Sequence, residues 1–266
     1  MNIKVGFIGC GNMAQAMIKG IIDSKLINKE CIYAYDPSHE VLDNVKNNYG
    51  IHSSTSNSTM IKIVDIVIFA IKPNILEITI NEIKNHINED IVFVSIAAGK
   101  TINAIEKAFN RKVKVVRTMP NSGVQVGEGM TAICNNPWVK EEELDLVVKI
   151  FNSFGKTELL EEKYFDGITA VSGSSPASVY MFIEALADAA VRTGIPRNKA
   201  YTIAAQTVLG SAKTVLETGK HPGELKDMVC SPGGTSIEAV YQLETGGFRG
   251  SILNAIQAAT EKSKSL

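Results

Sequence analysis

Four cysteines in 266 residues (Cys10, Cys31, Cys134, Cys230), none in C-x-x-C spacing, are too scattered for a disulfide framework or a zinc site. They fit a reducing cytosol. Charge of one sign is also missing: 27 Lys and Arg face 28 Asp and Glu, a net charge of −1. With no basic stripe, nucleic acid is not an expected partner. The longest apolar runs, Ile61–Ile71 and Ile91–Ala98, are too short to span a membrane, and the first carries Lys62 and Asp65. The first strand begins by residue 3, so no signal peptide is expected and the location expected is cytoplasmic. His39, His52, His86 and His221 have no carboxylate pattern beside them, so none is given a catalytic role and no metal site is expected. What remains is 45% hydrophobic and 21% charged, the composition of an ordinary globular protein with room for one large or two medium domains.

The informative stretch comes first. Ile3, Val5 and Ile8 mark a buried strand that ends in Gly9-Cys10-Gly11-Asn12-Met13-Ala14, and a helical pattern follows at once. This strand, glycine-rich turn and helix form a dinucleotide fingerprint. Gly9 permits the tight turn, Gly11 lets backbone approach a pyrophosphate, and small Ala14 allows close helix–strand packing. Unpaired N–H groups at the helix start would face the phosphates. A glycine-rich turn alone is weak evidence. Here a second strand, 31–35, ends in Asp36, at about the separation expected of a ribose-binding carboxylate.

Further strands are expected at 50–52, 65–71, 91–96, 113–118, 129–134 and 155–160, alternating with helices that include 38–48, 74–86, 102–109 and 140–152. The apolar face of helix 74–86 reads as Ile75, Ile78, Ile83 and Ile87. Regular alternation predicts an α/β fold with a doubly wound parallel sheet and ligands beyond the carboxyl ends of its strands. Gly9–Met13, Asp36, Ala70–Pro73, Ala97–Gly99 and Met119–Asn121 all fall at that edge.

From about Tyr164 strand signals vanish and helices dominate. Residues 176–193 are almost wholly apolar, with Glu184, Asp188 and Arg192 forming one thin charged stripe. Such a helix needs cover on most sides, and a single layer of about 100 residues hardly supplies it, so a partner subunit is inferred. Burial within one chain is the alternative. Helices are expected at 198–218, near Pro222, at 237–243 and at 251–262.

Two loops in this half carry hydroxyls and N–H donors at helix starts: Gly173-Ser174-Ser175-Pro176-Ala177 and Ser231-Pro232-Gly233-Gly234-Thr235-Ser236. Ser175 reads as an N-cap with Pro176 at the first helical position, so the first loop serves equally well as a plain cap or a site. A cap needs no double glycine, so the second reads as a place for a carboxylate.

Taken in order, these segments resemble the pyrroline-5-carboxylate reductase family over essentially the full length. The matching stretches are Gly6–Met13, Ala70-Ile71-Lys72-Pro73, Ser95–Gly99, Arg117–Asn121, Gly127–Met130, the Gly-Ser-x-Pro-Ala loop and Ser-Pro-Gly-Gly-Thr. The resemblance implies NAD(P)H-dependent reduction of 1-pyrroline-5-carboxylate to L-proline, the last step of proline synthesis. It implies a Rossmann-type domain, here 1–162, and an all-α substrate-binding and dimerisation domain, here 163–266. That helical domain would interlock with a second subunit in a homodimer, often within larger rings. Two departures stand out: Ser175 where the family commonly has Gly, and Ser236 where it usually has Thr. Ser keeps the hydroxyl and loses the methyl that fixes it.

By the same resemblance, Ile8, Gly9, Cys10, Gly11, Asn12 and Met13 hold the pyrophosphate. Ala70, Ile71, Lys72, Pro73, Ala97 and Ala98 line the nicotinamide half, and Asn57 the adenosine half. Gly234, Thr235 and Ser236 hold the substrate, with Ser174 beside them and Ser236 orienting the imine nitrogen. Glu162 matches a substrate-contacting position, although an exposed acid at a helix start explains it as well. Asp36 would accept both ribose hydroxyls and repel a 2′-phosphate, with no Arg in Pro37-Ser38-His39 to compensate, so NADH is expected over NADPH. Two other readings compete: another imine or 3-hydroxy acid oxidoreductase, with Lys199 or Lys213 as acid, and a nucleotide sensor without turnover. The hydroxyl-rich loops favour the imine reductase.

Overall fold

In a computed structural model, which describes residues 3–265, the amino-terminal half builds an eight-stranded sheet. The elements run β1 (Val5–Ile8), α1 (Asn12–Asp23), β2 (Ile32–Tyr35), α2 (His39–Tyr49), β3 (His52–Ser53), α3 (Asn57–Met60), β4 (Ile66–Phe69) and α4 (Pro73–Ile83). They continue with β5 (Val92–Ser95), α5 (Ile102–Phe109), β6 (Lys114–Pro120), β7 (Gly129–Asn135), α6 (Glu141–Asn152) and β8 (Gly155–Leu159). Strand order is β3-β2-β1-β4-β5-β6-β7-β8, and the order reverses beside β1. That reversal opens a crevice at the carboxyl ends of β1 and β4.

Each central strand feeds two cores by simple alternation. Val5, Phe7, Ile66, Ile68, Val92 and Val94 pack on one face with Met17, Ile18 and Ile21 of α1 and Val147 and Phe151 of α6. Ile8, Val67, Phe69 and Phe93 pack on the other with Leu76, Ile80 and Ile83 of α4 and Ile105 and Phe109 of α5. Burial on both faces is why these strands read as unbroken apolar runs. Each fully buried side chain of this size contributes about 1.5–3 kcal/mol. Gly20 makes the first layer fit, since a Cβ there would lie 2.4 Å from Cβ of Phe154.

The sheet departs from the expected all-parallel pattern at one step. β7 runs antiparallel to β6, while β8 pairs parallel with β7. The connection between β6 and β7 is a 3-10 turn, Ser122–Val126, too short for the crossover that a parallel pair needs. A second correction concerns α4. It buries Leu76, Thr79, Ile80 and Ile83, whereas Ile75 and Ile78 are exposed.

After a 3-10 turn at Glu162–Tyr164 come α7 (Phe165–Ile168), a π-helical turn (Thr169–Ser174), α8 (Ser175–Arg192), α9 (Arg197–Thr218), α10 (Pro222–Met228), α11 (Thr235–Thr245) and α12 (Phe248–Lys264). Backbone contacts group the chain into two units. One runs to Gly173 and takes in the chain again from Ala259, and the other is Ser174–Ala258. Within the first, Ser263 Oγ donates to Asp166 at 2.8 Å. Within the second, α8 and α9 pack through Ala187, Ala200 and Ala204, the only buried apolar cluster among its described residues. Larger residues stay exposed there, among them Leu216 at 73% and Leu253 at 71%.

Ser175 is not a helix cap. The residues before it are already helical, Ser174 has φ −95° and ψ −31°, and it makes no side-chain cap. The chain enters α8 through the π turn, so residues 173–177 do not form a free helix start. Pro176 explains the irregularity, because it lacks the N–H that would bond the carbonyl of Ser172.

Candidate functional site

At the sheet edge, β1 ends in a turn that only glycine accommodates. Gly9 has φ +93°, and a Cβ there would sit 2.6 Å from the Ala70 carbonyl oxygen and 2.7 Å from Ile71 Cγ2. Gly9 N–H donates to the Tyr35 carbonyl at 2.9 Å, tying the turn to β2. Gly11 is the N-cap of α1 and offers no side chain to its N–H groups. A Cβ at Gly11 would meet nothing within 4 Å. The helix therefore begins with uncapped donors facing open space, while Ala14 is buried behind them. An uncapped helix start of this kind forms a cradle that suits an anionic group such as a pyrophosphate.

Asp36 closes the cradle. One carboxylate oxygen accepts from Cys10 N–H and the other from Ser38 N–H, both at 2.9 Å. Burial, with the Asp36 charge adding to it, pushes the Cys10 thiol up to about 12, so the turn carries no thiolate near neutral pH. Asn57, at the start of α3, is only 5% exposed. Its Nδ2 donates to Glu82 at 3.1 Å, while its buried Oδ1 has no partner. An unpaired buried acceptor is costly, and a hydroxyl donor from a bound nucleotide would satisfy it.

Two further segments reach the same edge. Ala70 N–H donates to Ile8 O at 2.9 Å, then Lys72 precedes α4, whose N-terminus has Pro73 and no side-chain cap. Ala97 N–H donates to Ser95 Oγ at 3.2 Å, and the loop turns at Gly99 with φ +73° before Thr101 caps α5. The groups expected around a dinucleotide thus lie at the ends of β1, β2, β4 and β5, with Asn57 in the segment after β3. An uncapped cradle and an orphaned buried acceptor fit such a cofactor.

Glu162 is engaged within its own unit. Its Oε1 accepts from Ile102 N–H at 2.7 Å and from Arg117 Nη1 at 2.9 Å. Arg117 is 6% exposed, and its guanidinium lies 4.6 Å from the Phe165 ring centroid. The pair lines a cleft of about 370 Å³ with Gly99, Thr101, Lys163 and Ser263. Arg117 was visible as a cation in an apolar strand, a signal that a buried charge needs a partner, but its partner 45 residues away was not.

In the second unit, α11 begins at Thr235, two residues earlier than the sequence pattern suggested. Gly233 has φ +68°, Gly234 is the N-cap, and no side chain caps this helix. A Cβ on Gly234 would lie 2.5 Å from Ser231 Oγ, so a side chain there would displace that hydroxyl. Thr235 and Ser236 occupy the first turn with their hydroxyls, and Glu238 is the acid in that turn. The arrangement favours an anion through free N–H groups and the helix dipole. Ser174 ends the π turn and is exposed. Among the described residues, no group of three or more His, Cys, Asp or Glu is placed to hold a metal ion, and no helix is long and apolar enough to cross a membrane.

Comparison with known proteins agrees with both halves. Residues 162–266 match a family described as pyrroline-5-carboxylate reductase dimerisation, and residues 4–99 one described as NADP oxidoreductase coenzyme F420-dependent. The chain is 46% identical over 266 residues to a pyrroline-5-carboxylate reductase of Escherichia coli, covering 100% of this chain and 99% of that one. It is also similar to a Plasmodium falciparum pyrroline carboxylate reductase solved with NADP bound: TM-score 0.88, 37% identity, covering 99% and 98% of the two chains. A Coxiella burnetii pyrroline-5-carboxylate reductase matches with TM-score 0.94 and 32% identity, over 100% and 98%.

Proposed function

The chain belongs to the pyrroline-5-carboxylate reductase family, and from that premise we propose how its own residues serve the reaction. The enzyme reduces 1-pyrroline-5-carboxylate to L-proline with NAD(P)H, the last step of proline biosynthesis. Bound NAD(P)H supplies the hydride for the C=N bond. The chain supplies position and charge, because a protonated imine is already electrophilic.

Residues Ile8–Met13 cradle the pyrophosphate on the uncapped start of α1. Asn57 Oδ1 accepts from the adenosine half, and Ala70–Pro73 with Ala97-Ala98 line the nicotinamide half. Gly234, Thr235 and Ser236 receive the substrate carboxylate and ring nitrogen at the start of α11. Ser236 orients that nitrogen, and Ser174 and Glu162 stand on the substrate side. In functional terms 1–162 serves the nucleotide and 163–266 the substrate and assembly. The observation that carries this assignment is that one chain holds both an uncapped, double-glycine start of α11 and a full dinucleotide fingerprint. A sensor of NAD(P)H has no use for the former.

The test is direct. Reduced-nicotinamide absorbance should fall when the purified chain meets NADH or NADPH and pyrroline-5-carboxylate, and should not rise when it meets a 3-hydroxy acid and the oxidised cofactor. No loss with either cofactor would overturn the reading. Ser236→Ala should lower kcat/KM for the imine by about tenfold to a hundredfold while NADH affinity stays unchanged. Unaltered turnover removes Ser236 from the mechanism.

Asp36 sets the choice of cofactor. Each of its oxygens accepts one backbone N–H and has a lone pair left for a ribose hydroxyl. The same charge opposes a 2′-phosphate, so NADH is preferred. Asp36→Asn, which keeps an acceptor for the turn, should improve KM for NADPH by about tenfold relative to NADH. A clear NADPH preference in the unmodified enzyme would refute the idea.

The helical half forms an interlocked homodimer, a unit that can repeat in a ring. A unit that buries three alanines and exposes Met181, Leu216 and Leu253 lacks the apolar cover that a stable domain needs. Sedimentation should show at least a dimer at micromolar concentration, and a stable active monomer would contradict it. The four cysteines are free thiols, consistent with the cytoplasm as the place of action.

A further inference from the structure

The segment Met119-Pro120-Asn121 and the π-turn residues that lead to Ser174 have no part in the mechanism so far, yet the first holds the second. Asn121 Oδ1 accepts from Gly123 N–H and Met130 N–H, both at 3.1 Å. With its oxygen committed to β7 and the turn before it, the amide nitrogen points to Ser172, donating to Oγ at 3.3 Å. Beside that bond Gly173 lies close to Met119, such that a Cβ would be 2.8 Å from the methionine methyl. Thr169 Oγ1 donates to Phe165 O at 2.8 Å, fixing the other end of the turn.

Ser172 is the residue whose carbonyl Pro176 cannot serve, since proline has no N–H. The α pattern therefore fails at a position where an outside side chain takes hold. A π turn holds one residue more than the α turn it replaces. Relaxing it to α would rotate the residues after it by about 100° around the helix axis, the angle per residue of an α-helix. A hydroxyl there would then point elsewhere.

We propose that Asn121 is a positioning residue for the reduction: through Ser172 it fixes the π register of Thr169–Ser174 and so the direction of the Ser174 hydroxyl. This rests on the assignment of Ser174 to the substrate side. Asn121→Ala loses three hydrogen bonds and risks the fold, so the decisive variant is Ser172→Ala, which leaves the two bonds to Asn121 Oδ1 intact.

Kinetics with pyrroline-5-carboxylate and NADH should be compared for the wild type, Ser172→Ala, Ser172→Thr, Ser174→Ala and the Ser172→Ala/Ser174→Ala double variant. Ser172→Ala should raise KM for the imine about fivefold, the order expected for one hydrogen bond, with KM for NADH unchanged. Ser172→Thr, which keeps the hydroxyl, should restore wild-type KM within about twofold. In the Ser174→Ala background the Ser172→Ala change should add nothing, because the group it positions is gone. A Ser172→Ala enzyme with wild-type KM, or one whose defect adds fully to that of Ser174→Ala, overturns the proposal. An inactive wild type would instead overturn the assigned reaction. A Ser174→Ala enzyme with wild-type kinetics would remove Ser174 from the substrate side and the proposal with it.

Discussion

Gly9→Ala should weaken NADH binding at least about a hundredfold while leaving the chain folded, whereas Gly11→Ala should weaken binding with no more than the small loss of stability that alanine brings at a helix N-cap. The two substitutions add the same methyl group to the same turn, and the structure separates them. At Gly9 the new Cβ meets a backbone oxygen at 2.6 Å, and φ of +93° is a conformation that alanine resists. Neither the Ala70 carbonyl nor the strand it ends can move freely, so the turn itself must shift. Strain and overpacking of this kind cost about 1–3 kcal/mol, which a domain with about 5–15 kcal/mol of stability survives. The uncapped N–H groups of α1 then no longer converge on the pyrophosphate, and about 2.7 kcal/mol of lost interaction is a hundredfold in affinity. At Gly11 the methyl points into space that is empty without ligand, so it obstructs only the nucleotide. Calorimetric titration with NADH beside thermal melts would check both. A Gly9→Ala protein with wild-type affinity would mean that the cofactor does not use this turn.

The residues of that cradle were legible because each does its work locally. Gly9, Gly11, Ala14 and Asp36 sit in a strand–turn–helix–strand order whose geometry is fixed by chain spacing alone. The two-faced burial of β1, β4 and β5 was equally plain from their apolar runs. Relations across long separations were not. Glu162 carries a carboxylate wherever it lies, but only the fold shows that its Oε1 serves the start of α5 and Arg117. The buried stripe of α4 was hidden by Thr79, which interrupts an otherwise regular apolar spacing and made Ile75 and Ile78 look like the inner face. Ser175-Pro176 carries the ordinary signature of a helix start. What overrides it is the helical conformation of the preceding residues, held in part by Asn121, 51 residues away from Ser172. The antiparallel β7 is a different case, since the shortness of 121–128 already excluded a crossover and only the regular alternation of elements concealed it.

The second large effect concerns the helical half. Thr235→Asp should abolish reduction of pyrroline-5-carboxylate, lowering kcat/KM by about a thousandfold, in a protein as stable as the wild type or more so. Thr235 is the first residue of α11, whose N-terminus has no capping side chain. An acid in the first turn of a helix is favourable by about 0.3–1 kcal/mol, so the substitution suits the fold. It does not suit an anionic substrate. A carboxylate about 4 Å from another, at an effective dielectric constant of about 20, is opposed by about 4 kcal/mol, which is roughly a thousandfold. Thr235→Ser, which keeps a neutral hydroxyl, should stay within about tenfold of the wild type. The informative comparison is the substrate: 1-pyrroline, which has the imine and lacks the carboxylate, should be reduced equally by the wild type and Thr235→Asp. NADH affinity should be the same in both. If Thr235→Asp turns over pyrroline-5-carboxylate normally, the start of α11 does not hold the substrate carboxylate. If it loses 1-pyrroline turnover as severely, the damage is to the fold of the loop and not to an anion site.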